Sequence, residues 1–174
     1  HIPHDARRQR QMCIRDRRNW MLKVAVSWTE EADQDLGFPK FETEGAAGAD
    51  LRANFSMEFR SKGVSLAPMQ RVLIPTGLRF EIPNGLEGQL RPRSGLALRN
   101  GLTLLNAPGT IDSDYRGPIG LIMINMGEFE FSITHGMRIA QIVFASTLKV
   151  QFKISKNLSQ THRSSSGFGS TGTK

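Results

Sequence analysis

Residues 71–92 read RVLIPTGLRFEIPNGLEGQLRP, and their rhythm decides the fold. Arg71–Ile74 and Leu78–Ile82 are short apolar pieces, separated and followed by Pro75-Thr76-Gly77, Pro83-Asn84-Gly85 and Pro92. Pieces of four or five residues are too short for helices, and Pro and Gly at these positions supply turn geometry. The same punctuation continues outward at Gly63, Asn100-Gly101, Pro108-Gly109, Gly117-Pro118, Gly127 and Gly136. It isolates Leu102–Leu105, Ile119–Asn125, Glu128–Ile133 and Ile139–Phe144, while Leu22–Trp28 alternates like a half-buried strand. Strands this short at this spacing predict an all-β sandwich or barrel. Only Ser94–Arg99 reads as a helical turn.

The whole chain has 174 residues, of which 39% are hydrophobic, enough to build one compact core and to exclude wholesale disorder. No stretch reaches the roughly 18 apolar residues of a membrane helix, so no membrane partner is expected. Cys13 is the only cysteine, which leaves no intrachain disulfide or cysteine metal site and fits a reducing, cytoplasmic setting. The net charge of +7 suggests nucleic acid, but residues 1–20 alone hold six Arg against two Asp. The remainder carries only a small positive surplus, so no stable nucleic-acid partner is expected. Residues 1–20 show no apolar period and read as a non-domain leader, upstream sequence or an expression remnant before Met21, with targeting or RNA contact as the alternatives. Residues 21–154 then form the β domain. Residues 155–174, rich in Ser, Gly and Thr, are expected to be a flexible arm.

Three loops carry chemistry. In Arg91-Pro92-Arg93-Ser94-Gly95-Leu96, guanidinium groups beside a helical turn suit an anion such as phosphate, or else make an ordinary solvated turn. In Asn106–Gly117, two carboxylates, Asp112 and Asp114, accompany the only tyrosine, Tyr115. A carboxylate fixed there can orient and deprotonate water, and a ring can carry a sugar or base; alternatively both acids cap their own turn. Gly167–Gly172 spells G-x-G-x-x-G, but no strand precedes it and no helix has room to follow, so it is no dinucleotide fingerprint. The histidines form no cluster of metal-ligand spacing, and His135 is expected in a turn before Gly136.

Five segments, in order, resemble the trimeric dUTPases (deoxyuridine triphosphate nucleotidohydrolases). They are Ala47-Gly48-Ala49-Asp50-Leu51, Pro92-Arg93-Ser94-Gly95-Leu96-Ala97, Gly109–Gly117, Gly136-Met137-Arg138-Ile139-Ala140-Gln141 and the tail Arg163–Gly172. The resemblance implies a jelly-roll-like β fold, a homotrimer with shared active sites, and Mg²⁺-dependent hydrolysis of dUTP to dUMP and pyrophosphate. It implies that Arg93, Ser94, Gly95 and Gln141 hold the phosphate chain, and that Asp50 meets the metal only through water. Asn106, Gly109 and Thr110 would form the slot for the uracil edge, Tyr115 would pack on the deoxyribose, and Asp112 would orient the attacking water. In the tail, Arg163 would meet the γ-phosphate and Phe168 would cover the base, with Gly169 beside it and Ser170 and Thr171 as further phosphate donors.

The chain departs from that pattern at Ser164 and Ser166, where glycine is common, and at Met137, often Asp. A dCTP deaminase of the same fold is the nearest rival, but it needs an acid/base residue beside the pyrimidine amino group rather than the Ile111–Tyr115 loop. A jelly-roll binding module would leave Asp112 incidental and the tail inert.

Overall fold

The computed structural model describes residues 22–167. The leader, and the expectations for Phe168, Gly169, Ser170 and Thr171, lie outside the described residues. Every strand pairs antiparallel. A four-stranded sheet has the order β2 (Ala49–Arg52), β11 (Arg138–Ser146), β6 (Leu86–Pro92), β8 (Gly109–Ile111). A three-stranded sheet follows as β4 (Arg71–Pro75), β9 (Gly120–Asn125), β7 (Leu102–Leu104). Two ribbons complete the frame, β1 (Ala25–Trp28) with β5 (Leu78–Glu81), and β3 (Val64–Leu66) with β10 (Phe131–Ile133). The all-β class expected from the turn spacing is what the chain forms, in keeping with the jelly-roll-like fold that the resemblance implies.

Alternation places the core. On β9, Leu121 and Met123 are buried while Ile122 between them faces out, and Leu51, Leu66, Ile74, Ile133, Ile139 and Ile142 meet them from the other strands. Fully burying each such side chain contributes about 1.5–3 kcal/mol, which fixes the strand registers. Asn125 closes the end of β9 without leaving a polar group bare. Its Nδ2 donates to Leu66 C=O (2.9 Å) and Phe129 C=O (2.8 Å), and its Oδ1 accepts from Gly127 N–H. That turn takes up residues 127–129, so the piece expected over Glu128–Ile133 contracts to β10.

Other boundaries shift for similar reasons. Only Ala25–Trp28 of the Leu22–Trp28 alternation finds a partner strand, opposite Glu81–Leu78. The expected helical turn becomes a two-turn helix, α1 (Ser94–Asn100), stopped by Gly101. Gly101 adopts φ +66°, and a Cβ there would collide with the Gly127 backbone, so no other residue fits. His135 does sit in a turn before Gly136, between β10 and β11. Its Nδ1 accepts the Phe55 N–H (3.1 Å), and its Nε2 lies 3.0 Å from Asp33 Oδ2. Among the described residues no helix is long and apolar enough to cross a membrane.

Candidate active site

The four-stranded sheet gathers the first group of expected residues at the end where β6 runs into α1. Asp50 on β2, Gln141 on β11 and Arg91 on β6 are direct cross-strand neighbours and therefore share one face. Beside them, Asp50 Oδ1 pairs with Arg93 Nε at 3.1 Å and Asp50 Oδ2 with Arg138 Nη1 at 3.1 Å. Arg93 also donates from Nη1 to Arg138 C=O (3.0 Å), and Gln141 Nε2 donates to Pro92 C=O (3.0 Å). The Asp50 carboxylate is thus a bracket that aims two guanidinium groups, and Ser94 and Gly95 open α1 next to it.

Arg138 is a member of this cluster that the sequence reading passed over. It precedes Gln141 by three residues, a spacing that puts side chains on opposite faces of a regular strand. A β-bulge between Arg138 and Ala140 breaks the alternation, buries both Ile139 and Ala140, and returns Arg138 to the face of Asp50. Two successive buried positions flanked by Arg and Gln were the available signal. Gly48 makes room for the group: a Cβ there would collide with Gln141 Oε1 and lie 3.1 Å from its Cδ.

The second group lies on the loop after β8. Asp112 and Tyr115 line an open cleft of about 410 Å³ with Thr110, Ile111, Leu73 and Ile122. The loop is closed by backbone, Tyr115 N–H donating to Asp112 C=O at 3.2 Å, so the turn does not depend on the carboxylate, which stays exposed. The Tyr115 ring packs over Gly117, and its hydroxyl donates to Pro118 C=O (3.1 Å). Asn106 sits in the preceding turn, where its Nδ2 would be 3.1 Å from a Cβ on Gly109. A pinned ring beside a free carboxylate can hold a sugar and activate water.

Within one chain these groups stay apart. Gly88 of β6 lies opposite Ile111, which sets Asp112 level with Glu87, whereas Arg93 follows the far end of the same strand. Six residues of extended chain separate those levels by about 20 Å. Adjacent phosphorus atoms of a triphosphate are only a few ångströms apart, so one chain does not bring both halves to one α-phosphorus. Arg163 joins neither half: its Nε donates to Ser166 C=O (3.0 Å) within an exposed turn, and Ser164 takes a positive φ of 46°.

The profile of the dUTPase family matches residues 35–172. A deoxyuridine 5'-triphosphate nucleotidohydrolase of Roseobacter denitrificans is 55% identical over 152 residues, covering 87% of this chain and 97% of its own. One from Brucella melitensis is 50% identical over 143 residues, covering 82% and 89%. The fold is also similar to that of a Staphylococcus bacteriophage 80alpha dUTPase solved with dUpNHpp, with a TM-score of 0.72 at 24% identity over 86% of this chain and 98% of that one. A phage phi11 dUTPase, described as coordinating a structural Mg(II) ion, aligns at a TM-score of 0.64 and 21% identity, covering 78% and 98%. With the family profile spanning most of the chain and relatives of this identity covering more than four fifths of it, the chain belongs to the dUTPase family.

Proposed function

We propose that the chain hydrolyses dUTP to dUMP and pyrophosphate, supplying dUMP for thymidylate synthesis and keeping uracil out of DNA. The observation that carries this is the Asp112–Tyr115 cleft on a chain whose close relatives bear that activity in their names. The hairpin backbone at Gly109–Thr110, with Asn106, reads the uracil edge, and Tyr115 faces the deoxyribose. The Asp112 carboxylate fixes a water in line with the leaving pyrophosphate and takes up its proton as the new P–O bond forms. Arg93, Ser94, Gly95 and Gln141 hold the phosphate chain, which carries about three to four negative charges.

Magnesium fits this donor set as a passenger of the phosphates. Among the described residues no three His, Cys, Asp or Glu converge, and both Asp50 oxygens already face guanidinium groups. Such an arrangement suits an ion that keeps its waters and binds phosphate oxygens, with Asp50 reaching it through water. When bound, the ion neutralises charge on the phosphate chain.

The separation of the two halves by about 20 Å along β6 supports a homotrimer in which each active site draws on more than one copy. Two exposed features support it further. Leu73 and Ile122, paired across β4 and β9, turn an apolar face outward beside Asp112. Residues 147–155 read TLKVQFKIS, a strict alternation in which Leu148, Val150, Phe152 and Ile154 are 69–98% exposed. A strand pattern with no partner among the described residues calls for a neighbour to cover it. The segment 155–174 then closes over the nucleotide, Arg163 on the γ-phosphate and Phe168 over the base with Gly169, Ser170 and Thr171. Residues 1–20 take no part, and the enzyme works in the cytoplasm.

Nucleotide separation after incubation with dUTP or dCTP and Mg²⁺ tests the reading. Pyrophosphate plus dUMP from dUTP alone is expected. Formation of dUTP from dCTP would mean a deaminase, and no turnover would leave only a binding module.

A further inference from the structure

We propose that Glu42 is a displaceable counter-anion that sets the affinity of the phosphate end, giving up Arg138 when polyphosphate arrives and reclaiming it to help expel product. Arg138 Nη1 lies 2.9 Å from Glu42 Oε1 and 3.1 Å from Asp50 Oδ2, so one nitrogen is shared between two carboxylates. The two acids are not equivalent. Asp50 stands on β2, its side chain only 15% exposed, and it also holds Arg93. Glu42 is 56% exposed, and Arg138 is its ion-pair partner. It lies on the bend between Lys40 and β2, a segment tied at its base by Asp50 N–H to Lys40 C=O (3.2 Å) and by a turn bond from Ala46 N–H to Thr43 C=O.

Removing Glu42 from Arg138 therefore breaks one exposed ion pair and no sheet pairing, whereas removing Asp50 would release two guanidinium groups. An exposed pair of this kind shifts an equilibrium by only about two- to fivefold. That is small enough for a phosphate bearing two charges to displace, yet large enough to favour release afterwards. Lys40 and Arg52 line the adjoining pocket, and Arg52 Nη1 donates to Gly136 C=O (2.8 Å), so the surroundings stay cationic once Glu42 leaves. The carboxylate thus offsets part of a positive field that would otherwise retain pyrophosphate.

This rests on the phosphate-end reading of Arg93 and Gln141, and the test separates the two. Inhibition of dUTP turnover by inorganic pyrophosphate with Mg²⁺ is measured for the full chain, Glu42→Gln, Glu42→Asp and Arg93→Gln, and for Glu42→Gln combined with Arg138→Gln. The inhibition constant should fall about two- to fivefold in Glu42→Gln, and by less in Glu42→Asp, whose shorter side chain keeps the charge but loses the contact. In Glu42→Gln the apparent KM for dUTP should fall as well, and both gains should vanish where Arg138 is also replaced. Unchanged or weaker pyrophosphate inhibition in Glu42→Gln, or a gain that survives without Arg138, overturns the proposal. If Arg93→Gln binds pyrophosphate as the full chain does, the phosphate-end reading itself is wrong. Should the double variant fail to fold, Glu42→Asp decides: inhibition matching that of the full chain overturns the contact.

Discussion

Gly48→Ala should damage nucleotide binding more than it damages the fold. The added Cβ would collide with Gln141 Oε1, approach Cδ to 3.1 Å and approach Val143 Cγ2 to 3.3 Å. Ordinary contact requires the Gln141 amide to retreat by about 1 Å, and the valine blocks one way out. A shift of that size stretches the 3.0 Å bond from Gln141 Nε2 to Pro92 C=O beyond hydrogen-bonding range. The lost bond costs about 1 kcal/mol, and strain can bring the total to about 1–3 kcal/mol. Binding should suffer more, because Gln141 is then no longer aimed at phosphate. A hydrogen bond to a charged group contributes about 1.5–3 kcal/mol, a roughly ten- to hundredfold rise in KM.

Urea unfolding at fixed chain concentration and dUTP saturation curves measure the two effects on Gly48→Ala, Gln141→Ala and the double variant. The double variant should regain part of the lost stability, since the clash is gone, but none of the lost affinity. A Gly48→Ala protein with unchanged KM, or stability losses that simply add, would refute the placement of Gln141 by Gly48.

Asp112→Asn should keep nucleotide binding and lose turnover by about two orders of magnitude or more, the scale for removing a general base; single-turnover kinetics with equilibrium binding check it. Truncation after Gln160 should lower turnover and weaken the preference for dUTP over dUDP, because residues 161–174 carry the contacts of the proposed lid 155–174; full-rate, fully selective hydrolysis would remove Arg163 and Phe168 from the site. Light scattering at micromolar concentration should give a trimer, and Phe152→Lys should shift it toward smaller species if the exposed alternation is covered by a neighbouring copy. The His135 hydrogen bond, then the Asp35 N–H and Arg60, hold the Asp33 carboxyl below its ordinary value against partial desolvation. A lowered carboxyl stabilises the fold above about pH 4 and loses that effect as pH falls through its folded value. Asp33→Asn should therefore weaken the fold at pH 7, and the gap to the parent should close as pH falls through the lowered folded value. An equal gap above and below that value would contradict the pairing.

The sequence by itself determined β1, β4, β5, β7, β9, β10 and β11 and the turns around them, because period-2 burial and Pro/Gly turn chemistry act within a few residues of chain; it did not mark off β2, β3, β6 or β8, which their partner strands define. Arg71–Ile74, Leu78–Ile82 and Ile119–Asn125 needed no partner to be read, and each boundary moved by one residue to where pairing stops. The residue types of the site were legible too, since Arg93, Asp112 and Tyr115 sit in segments whose order resembles one family. What those residues touch was decided by tertiary structure. The bracket of Asp50 between Arg93 and Arg138 joins β2, β11 and the residue that follows β6, from distant parts of the chain, and it depends on a bulge that alternation alone would deny. The contact of Glu42 with Arg138 spans 96 positions and follows from how the Lys40–Gly48 loop folds back over β11. The separation of Asp112 from Arg93 is likewise a matter of register, because sequence distance says nothing about which end of β6 each group meets. Local propensities act between neighbouring residues, whereas a site is made by cross-strand geometry, and only the folded sheet supplies that.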